Sequence, residues 1–99
     1  MTEADIQRKI QAAINLRGGK CIKIHGGPYS VAGTPDLIGV LDGRSFAVEV
    51  KQPGKRATAK QELELSAWGN QGWLVGVVTS VEEAMAIIIP TGSIGKNSP

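Results

Sequence analysis

The sequence predicts one α/β domain, a mixed four-stranded sheet flanked by helices in the order α-β-β-β-α-β-α. Three observations lead there. A helical apolar stripe is closed by Gly18-Gly19, and two strand-like runs are joined by Asp42-Gly43. A strand, helix, strand unit then follows with a crossover short enough to favour parallel, right-handed pairing.

In order, Thr2 is placed to cap a first helix, with Glu3 and Asp5 in its first turn, near the positive end of the dipole. Ile6, Ile10, Ala13 and Ile14 form its buried stripe. Residues 21–25 alternate as a strand, and 26–35 form a loop rich in Gly and Pro. Residues 36–41 and 44–51 are two further strands, with Asp42-Gly43 as a hairpin turn. A basic loop, 52–57, leads to Thr58, whose spacing to Gln61 fits a capping box. That helix is expected to reach about Trp68 and to stop at Gly69-Asn70. Residues 73–79 are nearly all apolar, as in a strand buried on both faces. Ser80 and Glu83 suggest another capping box, opening a short helix to about Ile88 that Pro90 ends. Residues 1–90 thus form the domain and 91–99 a flexible tail.

Ninety-nine residues, 41% of them apolar, suffice for one core and leave no room for a separate regulatory module. The one cysteine, Cys21, excludes an intramolecular disulfide framework and a cysteine-based zinc site. No signal peptide or apolar run of membrane-spanning length stands out, so the expectation is a soluble, intracellular chain, cytoplasmic if microbial or viral, with no membrane partner. Net charge is only +2, but ten of the eleven basic residues lie between Arg8 and Lys60. Lys51, Lys55, Arg56 and Lys60 crowd into ten positions, which suits a phosphate backbone as well as a solvated loop.

The chemistry sits on the hairpin. A two-residue turn pairs Leu41 with Arg44, and counting back sets Asp36 opposite Glu49. Phe46, Val48 and Val50 then share one face, and Ala47, Glu49 and Lys51 share the other with Asp36. A three-residue turn would send Asp36 to the opposite face. Facing carboxylates repel unless a proton or cation lies between them. Their hard oxygens suit Mg²⁺ or Mn²⁺, and Lys51 is placed to stabilise charge on a phosphate. An isolated Glu-x-Lys is more often a surface salt bridge; Pro35-Asp36 at the matching position shifts the balance.

The stretch GTPDLIGVLDGRSFAVEVKQPGKRATAKQ resembles the VRR-NUC (virus-type replication-repair nuclease) signature: Gly-x-Pro-Asp, Glu-x-Lys on the next strand, and a Gln opening the following helix. The resemblance spans roughly residues 3–86. It implies a small stand-alone member of the PD-(D/E)XK nuclease superfamily, with a restriction-endonuclease-like fold. It further implies that Asp36, Glu49 and the backbone carbonyl of Val50 hold the catalytic metal, that Lys51 is the catalytic lysine, and that Gln61 supports the site. Related nucleases place a first-helix Glu at the site, and Glu3 lies only about 20° around the helix from Ile10. Glu3 is therefore expected to face the sheet and join the metal ligands, the alternative being an exposed first-turn acid. Gln61 could equally serve only as the reciprocal half of the Thr58 cap.

Lys55, Arg56 and Lys60 are the candidate DNA-binding residues, positioning phosphates without reading sequence. His25 reads as a surface histidine, Cys21 is not marked as a nucleophile, and Trp68 and Trp73 read as core. The function expected is a hydrolase: a Mg²⁺- or Mn²⁺-dependent DNA endonuclease of replication, repair or recombination, selective for branched or junction DNA. The resemblance implies one-step attack of water that leaves a 5′-phosphate. A homodimer is expected, with Ile87, Ile88, Ile89 and Ile94 as interface material, and a helicase partner is possible. The alternatives are a catalytically idle DNA-binding module of this fold, or an unrelated structural or toxin-antitoxin interaction module.

Overall fold

A computed structural model of the chain describes residues 1–28 and 30–89. Its elements are α1 (Glu3–Leu16), β1 (Lys20–Lys23), β2 (Leu37–Leu41), β3 (Arg44–Val50), α2 (Ala59–Asn70), β4 (Leu74–Val78) and α3 (Val81–Ile88). The sheet runs β1-β2-β3-β4, antiparallel for the first two pairings and parallel between β3 and β4. The predicted order and mixed pairing are both present. The 91–99 tail, Ile94 and the stop at Pro90 lie outside the described residues.

The hairpin fixes everything downstream of it. Asp42 and Gly43 have φ of 52° and 77°. Positive φ at both central residues gives a two-residue turn whose twist matches its strands. Leu41 accordingly pairs with Arg44 and Leu37 with Val48. Paired residues share a face, so the registers sort the sheet into two. One face carries Cys21, Leu37, Phe46, Val48, Val50 and Val78, packed with Ile6, Ile10 and Ile14 of α1 and Ala84 and Ile88 of α3. Close approach is built in here: a Cβ on Gly39 would strike the Lys20 carbonyl and the Phe46 ring, and one on Gly76 would strike Ile87.

The other face carries the row Ile22, Ile38, Ala47 and Val75, with Glu49 beside Val77. Helix α2 lies over β3 and β4 on this side, where Gly69 lets it approach Val75. Ala47 is buried beneath it, whereas Ile22 and Val40 stay 47% and 41% exposed toward the β1 edge.

Several expectations need correction. β1 ends at Lys23, although Ile24 still donates its amide to the Asp36 carbonyl at 2.8 Å. β4 is an edge strand, so Leu74–Val78 is only half-buried except for Val78. Helix α2 continues through Gly69 and Asn70 and is capped at Gln71. Trp68 and Trp73 are a half-buried T-shaped pair with centroids 4.6 Å apart, the Trp68 indole donating to Glu64. At α3, Ser80 accepts from the Glu83 amide, but the Glu83 carboxylate caps Thr79 rather than Ser80. Ile88 is fully buried, with Ile87 and Ile89 packed against the same core. Ile88 is therefore committed to this chain's own core, while Ile87 and Ile89 pack against it and stay partly exposed.

Candidate metal and nuclease site

The register that pairs Leu37 with Val48 extends to bring Asp36 and Glu49 side by side at one end of the hairpin. The Gly-x-Pro-Asp segment sets the first of them. Gly33 has φ of 82°, and a Cβ there would lie 2.8 Å from the Lys60 carbonyl, so this loop rests directly on the start of α2. Pro35 is fully buried behind it. Asp36 is then held by an amide that the sequence did not mark: Val50 N–H donates to its Oδ2 at 2.8 Å. Residue 50 thus enters the site through its N–H.

Glu49 is 3% exposed. Its Oε2 accepts a hydrogen bond from Gln61 Nε2 at 3.0 Å and lies 3.8 Å from Lys51 Nζ; its Oε1 has no partner. Burial, first, and then the neighbouring Asp36 carboxylate push the Glu49 carboxyl up to about 8, against the opposing pull of Lys51. Such a carboxyl keeps its proton at neutral pH.

Gln61 fills both roles open to it. Its Oε1 accepts from Thr58 N–H at 2.8 Å while its backbone N–H donates to Thr58 Oγ1, and its remaining amide hydrogens face Glu49. One side chain closes the helix cap and anchors the buried acid.

Glu3 reaches the site from the other helix. Among the described residues no three His, Cys, Asp or Glu side chains gather as a metal-binding group. Glu3 approaches on α1, across the sheet from α2, and stands half-buried; its charge reaches Glu49 through space and raises that carboxyl further. Asp5, in the same turn, is occupied by the Thr2 cap and by an ion pair with Arg8. Lys55, Arg56 and Lys60 are exposed around the start of α2. His25 is exposed as well, and Cys21 is buried, which pushes its thiol up to about 11 and keeps it inert as a nucleophile.

The donor set fits a hard divalent cation. Two carboxylates face each other, Asp36 just before β2 and Glu49 in β3, and Glu49 has an oxygen buried and unpartnered. Oxygen ligands of this kind suit Mg²⁺ or Mn²⁺.

No family model matches the chain, and neither does any curated protein sequence. Solved structures do. A structure described as a VRR_NUC domain is similar at 26% identity and a TM-score of 0.73, over 92% of this chain and 99% of its own. A VRR_NUC domain protein is similar at 19% identity and a TM-score of 0.75, over 96% and 91%. The Holliday junction resolvase of Archaeoglobus fulgidus, an archaeal hyperthermophile, shares the fold at 19% identity and a TM-score of 0.60; the match covers 75% of this chain and 64% of the resolvase.

Proposed function

From a chain that has the VRR-NUC fold of the PD-(D/E)XK nucleases, we propose a divalent-metal-dependent DNA endonuclease that hydrolyses phosphodiester bonds and prefers branched DNA. The observation that carries this reading is Glu49, a buried acid facing Asp36 with one oxygen unpartnered. Such a pair is stable only with a proton or a cation between its members. Asp36 and Glu49 would hold Mg²⁺ or Mn²⁺, joined by the Val50 carbonyl, with Glu3 as an outer carboxylate. A cation held there would supply Lewis acidity, lowering the pKa of a bound water and offsetting charge on the scissile phosphate.

The chain's own groups do the rest. Val50 N–H fixes the Asp36 carboxylate, and Gln61 fixes that of Glu49, so neither rotates when substrate arrives. Lys51 Nζ, placed beside Glu49, donates to the phosphate oxygens as charge grows on them. Lys55, Arg56 and Lys60 take flanking phosphates, which sets position without base readout.

Resolving a four-way junction takes two cuts on strands related by a two-fold axis, and one chain carries one such site. We infer that two copies act together, as a closed pair. The surface we assign to it is the open sheet face around Ile22, Ile38 and Val40, with the partly exposed Ile87 and Ile89 as the other apolar material. A helicase would be an external guide for such a pair.

The test is cleavage of linear duplex, flap, splayed-arm and four-way junction DNA with Mg²⁺, Mn²⁺ or EDTA. Cutting that depends on the cation and is fastest on junctions is expected. Full cutting in EDTA would refute the metal reading, and equal rates on junction and duplex would refute the preference. Light scattering should give about twice 10.4 kDa for the native chain and a single-chain mass for Val40→Glu; a native mass near 10.4 kDa would refute the pair.

A further inference from the structure

Among the described residues, two buried side-chain polar atoms lack a hydrogen-bond partner, and both are acceptors: Glu49 Oε1 and Gln7 Oε1. Gln7 stands on the inward side of α1 and is 6% exposed. At 100° per residue it lies about 40° around the helix from Glu3, one turn further along. Helical side chains lean back toward the N-terminus, so the Gln7 amide is carried over the turn that bears Glu3. That end of α1 is tied to the chain just beyond β3, because Gln52 Nε2 donates to the Met1 carbonyl at 3.2 Å. Glu3, in turn, is near enough for its charge to act on Glu49.

Gln7 and Glu3 thus stand one turn apart on the same side of α1, with Glu3 in electrostatic reach of Glu49 and with Gln7 Oε1 and Glu49 Oε1 both unpartnered. Buried acceptors are normally satisfied, and one that no protein donor reaches normally has water as its partner. Mg²⁺ in protein sites keeps several of its waters, and these need acceptors beyond the first ligands. We propose that Gln7 is a positioning residue of the metal centre, its side-chain carbonyl accepting a hydrogen bond from the cation's hydration shell. The proposal rests on the metal reading of Asp36 and Glu49 given above.

Two variants of the full chain test it, with Mn²⁺ affinity by calorimetry and melting of the metal-free protein as readouts. Gln7→Met keeps the volume and removes the orphaned oxygen. Its metal-free form should melt at or above the native temperature, because an unsatisfied buried acceptor is gone. Its Mn²⁺ dissociation constant should rise about 10-fold, the scale of losing one outer partner of a metal site. Gln7→Glu keeps an acceptor and adds charge, so it should bind Mn²⁺ at least as tightly as the native chain. Unchanged affinity in Gln7→Met, or weakened affinity in Gln7→Glu, would each overturn the proposal while leaving the Asp36–Glu49 site standing. A native chain that binds no Mn²⁺ would overturn both.

Discussion

Replacing Glu49 with Gln should make the metal-free protein more stable at alkaline pH while destroying its affinity for Mn²⁺. The wild-type carboxyl titrates at about 8 in the folded chain against an ordinary 4.5. Below 4.5 both folded and unfolded chains hold the proton, and the site carries no penalty. Between the two values the unfolded chain has lost it and the folded chain has not, so stability falls as pH rises. Above 8 the folded chain carries the full cost of a buried charge facing Asp36. The interval sets a ceiling near 5 kcal/mol, and water reaching the ionised group brings the expected loss to about 2–3 kcal/mol. For a domain of this size that is roughly 10–20 °C in melting temperature. The amide of Glu49→Gln can accept from Gln61 and donate toward Asp36, and it has no ionisation to lose. Denaturant titrations in EDTA from pH 4.5 to 9 give the comparison, with other titrating groups cancelling between the two proteins. Stability curves that stay parallel across that range would refute the argument.

Two further perturbations separate chemistry from scaffold. Lys51→Ala leaves the carboxylates in place, so it should fold and bind DNA normally while single-turnover cleavage falls about 100-fold or more; a rate within a few-fold of native would reduce Lys51 to a salt-bridge partner. Gly39→Ala drives a Cβ onto the Lys20 carbonyl and 2.6 Å from the Phe46 ring, so urea unfolding should show a loss of about 3 kcal/mol or more. Gly27→Ala, where nothing lies within 4 Å, should stay within about 0.5 kcal/mol.

Local chemistry made the fold and the carboxylate pair legible. Asp42-Gly43 admits a turn with positive φ at both positions, and strand alternation carries that register to Asp36 and Glu49 without reference to the rest of the molecule. Helix starts were legible for the same reason, since Thr2, Thr58 and Ser80 cap them through contacts three residues away. What depended on packing was not. The apolar run of β4 reads as a strand buried on both faces, yet at the sheet edge only Val78 is fully buried. Ile88 reads as spare hydrophobic surface because a short helix does not reveal from sequence which core it closes. Gln7 gave no signal at all: one polar residue beside an apolar stripe is common, and only its burial sets it apart.

The double duty of Gln61 narrows what evolution or a designer can place there. A capping box accepts Glu as readily as Gln at its third position, but Glu would set another carboxylate against Glu49. Asn offers the same amide on a shorter arm, and Ala serves neither end. Thr58, which only caps, tolerates Ser or Asp by the same chemistry. In a library covering every substitution, selection for folding alone should leave Glu at position 61 among the survivors. Selection for cleavage should remove it, while position 58 stays permissive under both.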